Sequence, residues 1–288
     1  MRRLLLLLLF FSVLAIDVHA QQGDVEFGKN RVQYHRRFDE WMKYESRHFV
    51  TTWYGTGRKI AETASLLAEA DLPYIQQFLD YTPPEKIRII VYTDLSDLKQ
   101  TNIGNEEQFT NTAGHTLIRE NKIFIYFNGD HQHLRKQIRE GLVKVFIQNM
   151  IIGDNWQEMV QNAALLNLPD WYIEGLASFI SDEWTPEMSL WLQEKLAKGE
   201  KTDFFSIAQK YPKKGGQAMF FYLNAVYGRA NLSNLIYLTR LNRSLEHGIV
   251  HVYGNSLDVI AAEWKVFFQK QFDAEKKGRQ DFNPDNQI

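Results

Sequence analysis

No cysteine occurs in the 288 residues, and neither sign of charge dominates, with 33 Lys+Arg against 35 Asp+Glu. Without cysteine there is no disulfide, thiol nucleophile, Fe–S cluster, thiolate-ligated zinc or lipid-modified cysteine at a processed N-terminus. The near-neutral balance supplies no electrostatic footprint for nucleic acid or for an anionic membrane face. Beyond residue 20 no apolar run approaches the length needed to span a bilayer. What is present is the composition of an ordinary globular protein, 44% hydrophobic and 24% charged, so any catalysis must run on carboxylates, His, Ser/Thr, Tyr, Lys or a metal.

The first twenty residues read as a targeting segment. Arg2 and Arg3 precede a run from Leu4 to Ile16 that is apolar except for Ser12, and Val18-His19-Ala20 places small residues at the −3 and −1 positions of a cleavage site. A cut between Ala20 and Gln21 is expected, because a run of about 13 apolar residues is short against the roughly 20 required of a spanning helix. Removing residues 1–20, which hold Arg2, Arg3 and Asp17, moves the formal charge from −2 to −3. The expectation is an exported protein, periplasmic or secreted at the cell envelope, with no integral membrane segment and no nucleic-acid partner.

Residues 21–45 are polar and lack a strand period, and they read as an N-terminal arm. A sheet-containing subdomain is expected over 46–152. Its strands are His48–Tyr54, Lys86–Tyr92 and Asn121–Phe127, with 114–118 as an antiparallel partner, and a helix over 58–80 is kinked at Pro73. From 153 to 277 the pattern is helical. Helices are expected at 131–151, 171–182, 186–197, 216–228, 231–241 and 255–276, and 278–288 is a polar tail or linker. Sheet first and helices afterwards means α+β, with a cleft at the junction.

The chemistry-bearing segments are HQHLRKQIREGLVKVFIQNMI at 131–151 and LPDWYIEGLASFIS at 168–181. Together they resemble the gluzincin metallopeptidases, in which one helix carries His-Glu-x-x-His and a second supplies a glutamate in a Glu-Gly-Leu-Ala type motif. Two His at i and i+4 share a helix face, the intervening Glu serves the metal-bound water as general base, and the later Glu completes a three-ligand zinc site. FGKNRVQY (27–34), SRHFVTTWYGTG (46–57), IIVYTD (89–94), QTNIG (100–104), NKIFIYF (121–127) and GNSLDVIAAEWKVFFQKQF (254–272) follow in order. This series is similar to the exported peptidase-MA-like domains of Bacteroidetes-type bacteria, which commonly precede a TolB-like β-propeller. The resemblance implies a thermolysin-like fold, and it makes 278–288 either a true terminus or the start of a linker to such a propeller.

The resemblance also exposes a departure. Glu140 stands at the general-base position and Glu174 at the third-ligand position, but Arg139 and Val143 replace the two histidines. Arg does not deprotonate and Val has no donor atom, so zinc is expected to be lost. Ser178 stands where many relatives carry a supporting acid. A carboxylate left without its metal is costly when buried, and Arg139 is expected to pair with Glu174 in the metal's place. The other candidates are His131 and His133, which with Glu174 could form a rearranged metal site, and Tyr222, which could stabilise a transition state or pack in the core. His115, His247 and His251 read as surface or packing residues. The function expected is a catalytically inactive pseudopeptidase that binds a protein or peptide. A residual zinc peptidase with rearranged ligands, or a structural module packed on a propeller, are the alternatives.

Overall fold

The computed structural model describes residues 41–99, 116–119, 121–152, 168–197 and 202–277. The expected signal segment, most of the expected N-terminal arm, QTNIG, His115 and residues 278–288 lie outside them. The described chain is α+β, with a small mixed sheet followed by a long series of helices. No helix among the described residues is long and apolar enough to cross a membrane.

The sheet has five strands, β1 (Trp41–Glu45), β2 (Phe49–Tyr54), β3 (Ile87–Tyr92), β4 (Leu117–Arg119) and β5 (Lys122–Tyr126), in the order β1-β2-β3-β5-β4. The β2/β3 and β3/β5 pairs are parallel, while β1 and β4 run antiparallel at the two ends of the sheet. Parallel neighbours need a crossover, and helix α1 (Arg58–Leu79) provides it between β2 and β3. Alternation along the strands then sorts the side chains. Phe49, Trp53, Ile87, Ile89, Val91, Ile123 and Ile125 join the main core, and Tyr54, Tyr92, Phe124 and Tyr126 form a smaller cluster on the other face with Leu98 of the short helix α2 (Leu95–Lys99).

Strand β1 corrects the expected arm at its last five residues. Every side chain of β1 is exposed, so it shows no inside-outside alternation for a sequence pattern to reveal. Its backbone pairs with β2 from Trp41↔Tyr54 to Glu45↔Val50, and Trp41 sets its ring edge-on against Tyr54 and Tyr92 at 5.2 and 5.9 Å. Pro73 lies inside α1, which continues to Leu79.

The remaining helices are α3 (His131–Ile152), α4 (Asp170–Ser181), α5 (Pro186–Ala197), α6 (Phe204–Lys210), α7 (Pro212–Tyr227), α8 (Ala230–Asn242), α9 (Leu245–Tyr253) and α10 (Leu257–Lys277). One continuous cluster of buried apolar residues runs from Phe49 in the sheet to Phe272 in α10. Helix α3 carries the sheet into this helical half. Gln137 bonds both backbone groups of Tyr126, accepting from its N–H at 3.1 Å and donating to its carbonyl at 2.8 Å, which fastens α3 to the end of β5. At Gly141 an added Cβ would lie 2.3 Å from Ile123 Cγ2, so glycine lets α3 rest directly on the strand.

Helices α4 and α7 meet backbone to backbone. A Cβ on Gly175 would lie 2.3 Å from Gly216 Cα, and one on Gly216 would lie 2.0 Å from the Trp171 carbonyl oxygen. The neighbouring Gly215 gives α6 the same freedom, since a Cβ there would lie 2.9 Å from Ala208 Cα. The glycine of the Glu-Gly-Leu-Ala segment is therefore a contact residue between helices. The tandem Gly215-Gly216 reads as a breaker in sequence, yet α7 begins earlier, with Pro212 in its first turn. That added turn carries Lys213.

Candidate functional site

At about 100° per residue, an α-helix places Glu140 and Lys144 on one side of α3, and Arg135, Arg139 and Val143 on another. The first side faces α4 and α7. Glu140 is almost fully buried, at 1% exposure, and both its oxygens meet ammonium groups: Oε1 lies 3.2 Å from Lys144 Nζ and Oε2 lies 3.0 Å from Lys213 Nζ. Lys144 Nζ also lies 2.9 Å from Glu174 Oε1 on α4 and donates to the carbonyl oxygen of Thr116, beside β4, at 3.2 Å. Lys144 is thus within ion-pair distance of two carboxylates and hydrogen-bonded to one backbone carbonyl. Burial alone would pull the Lys144 pKa down, but the facing carboxylates Glu140 and Glu174 raise it above the ordinary lysine value. The four side chains sum to zero charge, as a buried ionic cluster requires.

This arrangement corrects the expected Arg139–Glu174 pair. The cation facing Glu174 is Lys144, and Arg139 turns to α1, where its Nε lies 3.2 Å from Asp71 Oδ2. The reason is angular: Lys144 follows Glu140 by four residues and shares its side of the helix, whereas Arg139 precedes Glu140 by one and shares a side with Arg135. Arg135 grips Asp71 in a fork, with Nε at 3.0 Å from Oδ2 and Nη2 at 2.6 Å from Oδ1. Val143 is fully buried in the main core.

Other sequence candidates are held elsewhere. Tyr222 is buried and donates its hydroxyl to Glu263 Oε2 of α10 at 3.1 Å, a carboxylate it shares with the Tyr227 hydroxyl. Burial, the neighbouring Tyr227 and the Glu263 carboxylate raise its phenol pKa. The Tyr222 hydroxyl thus acts as a link between α7 and α10, and Tyr222→Phe should cost about 1 kcal/mol in urea unfolding, the size of one net hydrogen bond. Ser178 donates to Asp182 Oδ2 at 3.4 Å, and Asp182 in turn pairs with Lys136 of α3 at 3.0 Å. His131 packs on Phe127, and His133 packs on Tyr126 with its Nδ1 3.0 Å from Gln137 Nε2. Burial holds His133 below the usual histidine pKa. His251 Nδ1 meets the His247 carbonyl one turn earlier on the exposed face of α9.

No family model matches the chain, and no curated protein matches it. The chemistry of the cluster must therefore speak for itself. A gluzincin-type zinc does not fit these residues, because Val143 is buried apolar core, Arg139 is turned to Asp71, and Glu174 already faces an ammonium. Among the described residues no group of three or more His, Asp or Glu side chains is arranged to hold a metal ion. Lys144 at i+4 from Glu140 was readable in the sequence as a helix ion pair, whereas Lys213 and Asp71 reach their partners only through tertiary packing.

Proposed function

We propose that the chain is an exported, catalytically silent domain of the gluzincin metallopeptidase type, with a thermolysin-like arrangement, that holds a protein or peptide segment at the bacterial cell envelope. The observation that carries this reading is the position of the Lys144 ammonium between Glu140 and Glu174, the two carboxylates that the family resemblance assigns to general base and third zinc ligand. An ammonium there neutralises both acids but supplies neither Lewis acidity nor an activated water. Both oxygens of Glu140 face ammonium groups, which competes with its use as a general base toward a water.

The sheet end nearest the cluster suits retention of an extended segment. Among the described residues strand β4 is terminal in the sheet order, and the Thr116 carbonyl ties its start to Lys144. An extended peptide adds to such an edge through main-chain hydrogen bonds. Zinc content after dialysis against the metal tests the catalytic half of the proposal. Less than about one tenth of an equivalent per chain is expected, and stoichiometric zinc that disappears in Glu174→Ala would overturn it. Fluorescence anisotropy with pooled labelled extended peptides tests the binding half. Saturable binding without cleavage, weakened by Ile118→Pro in β4, is expected; no binding would favour a purely structural module.

A further inference from the structure

Among the described residues the sheet ends at β1, on the side opposite the β4 edge. The Ser46 N–H donates to the Phe49 carbonyl at 2.9 Å across the turn into β2, and the pairing runs back from there to Trp41↔Tyr54. Antiparallel partners alternate between bonded and non-bonded pairs. Met42 and Tyr44 therefore bond to β2, while Lys43 and Glu45 turn their backbone N–H and C=O groups away from it. The strand has no proline and no bulge to blunt this edge. Met42 and Tyr44, on the sheet face that α1 covers over β2, are 39% and 46% exposed.

The charges on β1 are what select an occupant. Lys43 and Glu45 lie two residues apart and so point to the same face. When two copies of the strand run antiparallel with Tyr44 at the centre, Lys43 of each stands directly across from Glu45 of the other. Opposite charges directly across a ladder stabilise it, and like charges oppose it. A register centred on Lys43 would instead set lysine against lysine. Lys86 engages Glu45 through Oε1 at 2.7 Å, and the carboxylate has a second oxygen for another cation.

We propose that two copies of the chain join β1 to β1 in this antiparallel register, extending the sheet across a two-fold axis at Tyr44. The residues with outward backbone groups, Lys43 and Glu45, then meet as hydrogen-bonded pairs, and the two Tyr44 rings meet as a close non-bonded pair. Such a contact is isologous, each copy offering the same patch. The two copies of α1 lie on one face, at least three strand spacings or roughly 14 Å apart. Direct helix packing needs only about 8–10 Å, so the helices do not collide. This inference does not rest on the peptidase-like reading.

Sedimentation velocity on the purified chain across a concentration series tests the pairing. A monomer–dimer equilibrium with Kd on the order of 100 µM or tighter is expected, in keeping with a small interface. Lys43→Glu and Glu45→Lys should each weaken the dimer by about tenfold or more, because each sets like charges across both pairs. Mixing the two variants should restore dimerisation, since a copy with acids at both positions then faces one with lysines at both. All these side chains are exposed, so the variants should keep the parent's thermal midpoint. A chain that stays monomeric up to about 1 mM, a dimer that Lys43→Glu does not weaken, or a mixture no more dimeric than its components would overturn the proposal. So would a monomeric chain whose peptide binding is lost in Lys43→Glu, which would make an extended peptide the occupant of this edge.

Discussion

Gly216→Ala should destabilise the protein by several kcal/mol, on the order of 3 or more, which places it among the most damaging single substitutions the chain can carry. The added methyl would lie 2.0 Å from the Trp171 carbonyl oxygen and 2.6 Å from Gly175 Cα. Both are backbone atoms of α4, so no side chain can swing aside, and relief requires α4 and α7 to separate. Separation would open the core around Trp171, Tyr172 and Phe220, whose rings pack across this contact. Gly175→Ala meets Gly216 Cα at 2.3 Å and should behave alike. Because either methyl forces the same two helices apart, the double variant should cost less than the two single losses added together. Urea unfolding followed by tryptophan fluorescence measures all three, and a midpoint for Gly216→Ala close to that of the parent would show that the helices do not cross this closely.

Lys144→Met should cost about 3–5 kcal/mol, because it takes from the buried carboxylate of Glu140 one of its two ammonium contacts and strips Glu174 of its Lys144 contact. Replacing the acids as well, as in Lys144→Met with Glu140→Leu and Glu174→Leu, should recover much of the loss, since a buried ionic cluster is often no more stable than an apolar one of similar volume. The pH dependence has a definite sign. The folded state raises the Lys144 pKa above its ordinary value of 10.5, so this lysine contributes stability that is complete below that value and is lost as pH rises through the higher folded-state value. The parent chain should therefore lose stability on the alkaline side, and Lys144→Met should flatten that limb. Chemical denaturation between neutral and strongly alkaline pH makes the comparison, and parallel limbs in the two proteins would remove Lys144 as the cause.

Much of the architecture was legible because periodicity reports burial. β3 and β5 are largely apolar runs that contribute buried side chains to clusters on both faces of the sheet, and α3, α4, α5, α8 and α10 lie within a few residues of their expected bounds. What escaped notice had no such signal. β1 is exposed throughout, α2 is five residues long, and α6 and α9 are only seven and nine, too short for a helical period to stand out. The first turn of α7 was hidden by Gly215-Gly216, whose role in close packing outweighs their weak helix propensity. In the candidate site the positions of Glu140 and Glu174 followed from the motif, but the choice of cation did not. Arg139 was favoured because it occupies a lost ligand position, while helix geometry favoured Lys144, five residues further on. Lys213 lies 73 residues from Glu140, and no local pattern connects the two.

That separation bears on how the chain comes to be folded. The ionic cluster joins the segment before β4, the middle of α3, α4 and the first turn of α7, so it can close only after several long loops have already been brought together. Where contacts close after the rate-limiting step for folding, their strength is felt almost entirely in the rate of unfolding. In this protein the charges of the Glu140–Lys144–Glu174 cluster are expected to act as a late latch, setting how long the folded chain persists without altering how quickly it forms.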